Sequence, residues 1–444
     1  MKKVLVSLIL TFLFSVQVSP AFCNLDIDAA AYILMDAKTG NVLYEYQPDL
    51  RVRPASTTKI MTALIALKKG ELSQVMVASN EAVTDIGVGG MNIGIMPGEQ
   101  LTLDDLLHAM LIVSANETAN IVAENLYPSK DDFITEMNKL AIEIGAKNTT
   151  FTNPCGIDEY EKDANHYSTA RDLALIAREC LKLPTFRDIV SQKKLDMLPP
   201  TNKHEKWIVL NNTNKLVGQS FNYGLDTGDD RNQFTITGIK TGSTMRAGNN
   251  FVASAINKDG FELISVVLGV NNKPNRTVFD FTEALFRAGF ENYSNQLVID
   301  RNTLIENVQV ANAADDGKLN LVTSDKVEAI LPNDEALWNL EKKVTINQDL
   351  KAPIKKGDVL GNIEYKRDGT ALGKVNIISS RTVEQNFKSK ISDFIKGILD
   401  NSIFKYILIA LIFIICFLIL RIILRKISRK RKYRLKQKRI RRNF

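Results

Sequence analysis

The sequence predicts an α+β fold in which one antiparallel sheet is flanked by helices, followed by a small all-β domain and a C-terminal transmembrane helix. Helical and strand signals alternate from about residue 25 to residue 293, with strands at both ends of this region. From about residue 294 to 385 the segments become short and alternate apolar with polar residues, as strands do. An apolar run at residues 406–424 is long enough to cross a bilayer.

The first residues have the composition of a secretory signal peptide. In "MKKVLVSLILTFLFSVQVSPAFC" two lysines precede an apolar run, and small residues follow around Ser19 to Ala21. We therefore expect residues 1–23 to be a signal peptide, with Cys23 at or near the cleavage site, and most of the chain to be exported.

Residues 24–293 are predicted to form the first and larger domain. The segment "AYILMDAKTGNVLYEY" predicts a hairpin of two strands around a turn at Gly40. Helices are predicted for a run that ends near Gly70, for "TLDDLLHAMLIV", for residues 117–126, for "DDFITEMNKLAIEIG" and for "ARDLALIARECLKL". In the second of these, Thr102 and Asp105 have capping-box spacing. Strands are predicted for "TITGIKTG", "NNFVASAIN" and "FELISVVLGV", before a closing helix at "RTVFDFTEALFRAGF".

Four further segments follow the first domain. We predict a small β-rich domain at residues 294–385, an amphipathic helix at 386–402, a transmembrane helix at 403–424 and a basic tail at 425–444. The tail contains twelve Lys and Arg residues, and without them the net charge of the chain falls from +7 to −5. A basic segment directly after a spanning helix is predicted to stay in the cytoplasm.

Two of these segments allow a second interpretation. The amphipathic helix can lie along the membrane surface, or it can pack onto the β domain. The tail can attract anionic lipid or bind nucleic acid. Its start at the membrane boundary and its few aromatic residues, Tyr433 and Phe444, favour lipid, so we expect no nucleic-acid partner.

The cysteine and histidine residues predict neither a disulfide framework nor a metal site. Once Cys23 and the membrane residue Cys416 are set aside, Cys155 and Cys180 remain, and the sequence leaves open whether they pair. The three histidines lie far apart, without the spacing of metal ligands. We therefore expect no metal and no cofactor.

In "RPASTTKIM" a serine, Ser56, precedes a lysine, Lys59, by three positions at the start of a predicted helix. Residues at this spacing share a helix face, so the two side chains can meet. A serine hydroxyl is a weak nucleophile until a base takes its proton. Lysine can be that base only when neutral, which requires a pKa lowered by burial or by another cation. Taken alone, the pattern favours a solvated helix end over a catalytic pair.

Two later motifs favour the catalytic interpretation. "IVSANET" places Ser114 and Asn116 in the turn between two predicted helices, and "GIKTGST" places Lys240, Thr241 and Gly242 at the end of a strand. The set Ser-x-x-Lys, Ser-x-Asn and Lys-Thr-Gly, in this order, is the signature of the penicillin-recognising serine enzymes.

Through these motifs the region from about residue 25 to 382 resembles the low-molecular-mass penicillin-binding proteins that act as D-alanyl-D-alanine carboxypeptidases, of the DacA and DacF type. Further stretches that carry the resemblance are "YILMDAKTGNVLYEY", "MPGEQLTLDDLLHAMLIVSANETANIVAE", "FTNPCGID", "HYSTARDLALIA", "LNNTNKL" and "KTGSTMRAGNNFVASA". The resemblance implies a penicillin-binding/β-lactamase-like fold for the first domain. It also includes the small β domain and a C-terminal membrane anchor.

The resemblance implies a role for each motif residue. Ser56 would be the acylated nucleophile and Lys59 its base, while Ser114 would relay a proton to the leaving amine and Asn116 would hold the peptide group of the substrate. The terminal carboxylate would bind at the strand edge formed by Lys240, Thr241 and Gly242, and the backbone N–H groups of Ser56 and Ser243 would form the oxyanion hole. Lys240, placed close to Lys59, would also lower the pKa of the base.

The chain departs from the family pattern at two places. Ala115 occupies a position that is usually glycine, which could tighten the turn of the second motif. The anchor is a full spanning helix with a basic tail, where many relatives have an amphipathic helix.

Three other features receive a structural interpretation. "GVGGMNIG", at residues 87–94, lacks dinucleotide-binding spacing and is interpreted as a flexible loop. His166 and Asp172 lie in a stretch that resembles the floor of the family's active site, and we expect them to support it rather than to transfer protons. Cys155 is expected nearby and is assigned no chemistry.

We therefore predict a serine-type D-Ala-D-Ala carboxypeptidase. It would remove the terminal D-alanine from peptidoglycan stem peptides in cell wall synthesis, be inhibited by β-lactams, and sit in the cell membrane as a single-pass protein with its catalytic domain outside the cytoplasm. A transpeptidase would share the acyl-enzyme and is poorly separated by sequence. A β-lactamase would share the motifs, but "NTTFTNPCGID" offers no glutamate before Glu159. A membrane-bound β-lactam sensor would need a larger cytoplasmic part than the tail.

Overall fold

The computed structural model describes residues 25–158, 163–196, 198–224, 232–274, 276–367, 369–400 and 402–440. The predicted signal peptide and the last four residues of the basic tail lie outside this range. The chain forms two compact units, one ending at Gln296 with the addition of Ala329–Asn339, and one made of Leu297–Glu328 and the residues from Leu340 onward.

The first unit is built on an antiparallel sheet, as predicted. Its strands, numbered β1 to β10 in chain order, are Ala31–Asp36, Val42–Tyr46, Val75–Val77, Gln100–Thr102, Lys194–Leu195, Leu210–Asn211, Ser220–Asn222, Gln233–Thr244, Gly248–Asn257 and Glu262–Val270. In the described part of the chain, six of them form one sheet in the order β2-β1-β10-β9-β8-β7. The predicted hairpins β1–β2 and β9–β10 are both present, with Gly40 at φ +83° in the first turn.

The helices of the first unit surround this sheet. Numbered α1 to α8, they are Lys59–Lys69, Asn80–Thr84, Leu103–Ile112, Asn116–Leu126, Lys130–Glu143, Ala170–Cys180, Pro184–Val190 and Val278–Asn292. The capping box of Thr102 and Asp105 forms as predicted, and α1 ends at Gly70. The sequence analysis missed α7, because a proline usually ends a helical pattern; here Pro184 takes the first helical position, where its missing N–H costs nothing.

The sheet separates two apolar cores. Strand residues alternate between faces, so Ile33 and Met35 of β1 pack with the buried sides of α1, α3 and α4, whereas Leu34 packs with α8. The α8 side is rich in aromatic rings. Phe234 is fully buried there, with its ring centroid 5.0 Å from that of Phe290.

The second unit contains an all-β domain, as predicted. The remaining strands, β11 to β17, are Tyr293–Ile299, Leu304–Gln309, Lys318–Thr323, Val327–Pro332, Leu340–Ile346, Val359–Arg367 and Thr370–Ser379. Strands β11 and β14 cross the boundary between the two units, and the other five lie in the second unit. Among the described residues, five of these form an antiparallel sheet in the order β12-β13-β17-β16-β15. Leu319, Leu321 and Ile363 lie in its buried core.

Two helices complete this unit. Phe387–Asp400 forms α9, and its apolar residues Phe387 and Phe394 are 78% and 70% exposed, so this face does not pack onto the β domain as one of our two interpretations required. Ser402–Ile440 forms one continuous helix, α10. Its segment Phe404–Lys432 is long and apolar enough to cross a membrane, and the helix continues through the described part of the basic tail.

Replacing Phe234 by alanine should destabilise the first unit. Removal of a fully buried ring leaves a cavity, which typically costs about 3–5 kcal/mol of unfolding free energy. The detergent-solubilised full chain can be unfolded in urea while tryptophan fluorescence is followed, because Trp207 and Trp338 both belong to this unit.

Phe261→Ala is the matched control, because this ring is only partly buried at the edge of the same cluster. An equal loss of stability in the two variants would contradict the packing described here.

Candidate active site

The turn that carries Ser56 precedes α1 directly. Ala55–Thr58 forms one turn of 3₁₀-helix, and Lys59 is the first residue of the α-helix. Side chains three positions apart eclipse each other in a 3₁₀ turn. The Lys59 Nζ consequently lies 3.0 Å from the Ser56 Oγ, within hydrogen-bond distance.

Lys59 is completely buried, and polar groups surround its amine. Within the described residues, Nζ donates to the Ser56 Oγ, to the Asn116 Oδ1 at 2.6 Å and to the carbonyl of Cys155 at 2.7 Å. Burial lowers the pKa of Lys59 to about 8, and the negative charge of Glu117 acts in the opposite direction. The amine is therefore far easier to deprotonate than an ordinary lysine.

The second motif lies in the tight turn between α3 and α4. Ser114 adopts a left-handed conformation with φ +68°, and the following Ala115 has an ordinary φ of −56°. Alanine in place of glycine therefore introduces no backbone strain. Asn116 begins α4 and bridges two segments, because its Oδ1 accepts from Lys59 while its Nδ2 donates to the carbonyl of Ile86 at 2.7 Å.

The third motif lies on β8, which passes beside the serine turn. Lys240 is fully buried, and its Nζ donates to the carbonyl of Thr241 at 3.0 Å. A Cβ added at Gly242 would lie 2.9 Å from the Pro54 carbonyl oxygen and 3.0 Å from the Ser56 nitrogen. Glycine is required here because the strand backbone approaches the serine turn this closely.

The electrostatic coupling of the two lysines differs from our expectation. Burial, rather than Lys240, is the cause of the lowered pKa of Lys59. Burial also lowers the pKa of Lys240 well below its ordinary value, and the charge of Lys59 lowers it further. The reason is that both amines are removed from water, a larger effect here than their mutual repulsion.

Two cavities formed by the described residues open at Ser56. The smaller has a volume of about 200 Å³, and its lining includes Ser114, Thr241 and Ser243. The larger, of about 600 Å³, includes Asn116. The predicted site residues are therefore brought together, with Lys59 and Lys240 buried beneath the cavity surfaces.

Sequence reasoning missed several residues of this site. The glycine-rich segment at residues 87–94, interpreted as a flexible loop, forms part of the wall of the larger cavity. It is tied to α4, because the Asn116 N–H donates to Met91 and the Ile93 N–H donates to Glu117, both at 2.7 Å. Thr213, whose Oγ1 accepts from the Thr241 Oγ1 at 2.7 Å, lines the smaller cavity. Its position within "LNNTNKL" was the available signal.

The floor residues have structural contacts, in agreement with expectation. The His166 Nε2 lies 2.8 Å from the Thr58 Oγ1, and its Nδ1 accepts from the Thr152 N–H at 3.0 Å. Burial, followed by the charges of Arg53 and Lys59, lowers the pKa of His166 to about 3, so the ring is neutral.

Asp172 has a similar supporting position at the start of α6. Its carboxylate accepts from the Asn148 N–H and from the Thr149 hydroxyl, both at 2.7 Å. These bonds attach the helix to the neighbouring loop.

The two cysteines of the first unit are free in the structure, which answers the question of their pairing. Cys155 and Cys180 are both buried, and burial raises the pKa of each thiol. The thiol of Cys155 is therefore unsuited to act as a nucleophile, and it is the backbone carbonyl of this residue that contacts Lys59.

Comparison with known proteins identifies the family. Residues 15–272 match the family described as D-alanyl-D-alanine carboxypeptidase, and residues 293–385 match the C-terminal domain of penicillin-binding protein 5. The chain belongs to the D-alanyl-D-alanine carboxypeptidase family. This membership confirms the predicted α+β fold, the serine hydrolase class and the carboxypeptidase function, and nothing in the comparisons favours a β-lactamase.

Individual members of the family match most of the chain. It is 32% identical to the D-alanyl-D-alanine carboxypeptidase DacF of Bacillus subtilis over 81% of this chain and 86% of the relative. It is 31% identical to DacC of Escherichia coli over 83% and 88%. The structure of penicillin-binding protein 5 from Haemophilus influenzae superposes with a TM-score of 0.60 at 28% identity, covering 82% of this chain and 100% of that one.

Replacing Gly156 by alanine should disable the site. Gly156 has φ +91°, and an added Cβ would lie 1.9 Å from the carbonyl oxygen of Ala55, next to the serine. Because backbone cannot move aside cheaply, we expect covalent labelling by a fluorescent penicillin to slow at least about tenfold.

Gly260→Ala separates this effect from general backbone strain. Gly260 also has a left-handed φ, of +79°, but no atom lies within 4 Å of its added Cβ. Labelling should persist in this variant, and equal losses in both would contradict a specific effect on the serine turn.

Proposed function

We propose that this protein hydrolyses the terminal D-alanine from peptidoglycan stem peptides through an acyl-enzyme on Ser56. The observation that carries the proposal is the 3.0 Å contact between Ser56 and the buried amine of Lys59, whose pKa is about 8. A base with a pKa near the working pH combines a usable neutral population with sufficient basicity.

In the first step, neutral Lys59 takes the proton of the Ser56 hydroxyl while the oxygen attacks the carbonyl of the penultimate D-alanine. The developing oxyanion accepts hydrogen bonds from the backbone N–H groups of Ser56 and Ser243. One such donor is typically worth about 3 kcal/mol of barrier. The close approach of β8 at Gly242 supports this arrangement, because it brings the two backbones together.

Ser114 relays a proton to the departing D-alanine, and Asn116 holds the peptide group of the substrate. The free carboxylate of the terminal residue binds at the strand edge formed by Lys240, Thr241 and Gly242, where Thr241 and Gly242 line the smaller cavity and the Thr241 hydroxyl is a hydrogen-bond donor. Water then hydrolyses the acyl-enzyme and regenerates Ser56. β-Lactams enter by the same acylation and leave slowly, which makes them inhibitors.

The same proposal includes the placement of the chain. Residues 24–293 form the catalytic domain outside the cytoplasm, and the helix at residues 403–424 anchors it as a single-pass membrane protein. The apolar segment within α10 and the basic residues that follow it support this topology, with the tail in the cytoplasm.

Two assays on the detergent-solubilised full chain test the proposal. A peptide ending in D-alanyl-D-alanine should release free D-alanine, and benzylpenicillin should form an adduct that decays slowly, as seen by intact mass. Ser56→Ala should abolish both D-alanine release and the penicillin adduct, because alanine has no hydroxyl to be acylated. Fast penicillin turnover would instead indicate a β-lactamase, and a permanent adduct without peptide turnover would indicate a sensor.

The acylation rate should rise with pH around a midpoint of about 8. Only neutral Lys59 can accept the proton, and its pKa lies near this value, so the rate should increase about fiftyfold from pH 6 to pH 8. Stopped-flow acylation by a β-lactam, corrected for its spontaneous hydrolysis, measures this profile.

Glu117→Gln provides the matched variant for this profile. The charge of Glu117 favours protonated Lys59, so its removal should move the midpoint to lower pH. A flat profile, or a midpoint that moves upward, would contradict the role of Lys59.

A further inference from the structure

The larger cavity beside Ser56 is not accounted for by the terminal D-alanine residues. It has a volume of about 600 Å³, three times that of the smaller one. One wall is formed by residues 86–91, which include the first part of the glycine-rich segment at residues 87–94. The others are the turn Gly156–Asp158 and the end of β8 with the residues that follow it, Ser243–Arg246.

The direction of the substrate determines what this cavity receives. In the proposed function the terminal carboxylate lies at Lys240 and Thr241, and the reacting carbonyl lies between Ser56 and Ser243. A strand advances about 3.3 Å per residue, so the part of the peptide before the reacting carbonyl extends beyond Ser243 along β8. The residue that precedes D-alanyl-D-alanine therefore lies at the larger cavity.

The rim of this cavity presents apolar side chains to solvent. Val88 and Met245 are 88% and about 104% exposed, and Met91 is half exposed. Three large apolar side chains around one opening form a surface that a methylene chain can cover, with a gain in free energy from the area buried.

The same cavity also contains one residue of each charge. The Arg246 Nη1 donates to the backbone carbonyl of Asp158 at 2.8 Å, which holds the guanidinium at the rim. The Oδ2 of Asp158 accepts from the Thr244 hydroxyl at 2.9 Å. Its Oδ1 is buried and has no hydrogen-bond partner among the residues that the structure describes. Asp158 is only 1% exposed, so its carboxylate faces the interior, and it is the backbone carbonyl of this residue that holds Arg246 at the rim.

We propose that this cavity binds the side chain of the residue before D-alanyl-D-alanine. We further propose that it favours a diamino acid whose side chain ends in both an amine and a carboxylate over lysine, whose side chain ends in an amine alone. The methylene stem lies on the rim formed by Val88, Met91 and Met245. The terminal carboxylate pairs with Arg246 at the rim. A lysine side chain has no carboxylate, so it would leave Arg246 unpaired and place two cations close together. This inference rests on the proposed function.

The test compares pentapeptides that differ only at the third position. The detergent-solubilised full chain is given peptides ending in D-alanyl-D-alanine with meso-diaminopimelate, L-lysine or L-norleucine before them, and free D-alanine is measured. We expect kcat/KM for the diaminopimelate peptide to exceed that for the lysine peptide about tenfold, which corresponds to one charge-assisted hydrogen bond.

Arg246→Gln should reduce this ratio to about one, and Arg246→Lys, which keeps the charge but loses the planar fork, should restore only part of it. Arg301→Gln is the matched control, because this exposed arginine lies in the second unit; it should leave the ratio at its original value.

Equal turnover of the lysine and diaminopimelate peptides by the unmodified chain would overturn the inference, as would an equal loss for all three peptides in Arg246→Gln. Either result leaves the carboxypeptidase itself intact. Failure to release D-alanine from any of the three peptides would instead contradict the proposed function, and this inference with it.

Discussion

The buried amine of Lys59 is the constraint on which the rest of the site depends. Its hydrogen-bond acceptors come from three separate segments: the serine turn, the start of α4 and the turn at Cys155. Removing an ammonium from water is unfavourable in free energy. The hydrogen bonds offset part of this free energy, and the lowered pKa reduces the charged population that has to be buried. Any change that separates the three segments would therefore also return the amine to its ordinary charge state.

Close backbone contacts hold these segments in place. Gly156 allows its turn to approach Ala55, and Gly242 allows β8 to approach Ser56. Both contacts involve backbone atoms on each side, which cannot rotate away as a side chain can. Lys240 on β8 pairs with Val252 on β9, which connects this local geometry to the apolar cores. The packed sheet therefore holds the site residues rigidly in place.

The site combines the three motifs of the family with cavity walls built largely from loops. The relatives described above are only 28–32% identical to this chain, yet the three motifs of the family are present. The walls of the larger cavity come largely from loops, at residues 86–91 and 156–158, and from the end of β8 with the two residues that follow it. In the loop at residues 86–91, Val88 and Met91 are exposed, and exposed loop positions tolerate change, which allows substrate preference to vary while the chemistry is kept.

The sequence by itself determined the features that depend on neighbouring residues: the hairpins, the capping box at Thr102, the apolar helix near the C-terminus and the three catalytic motifs. Caps, turns and periodicity act over a few positions, so a single sequence contains them. Only the tertiary structure decided how burial lowers the pKa of Lys59, where the loop at residues 87–94 lies in the site wall and that Cys155 is free. These properties are set by burial and by distances between segments far apart in the chain, which no local pattern encodes.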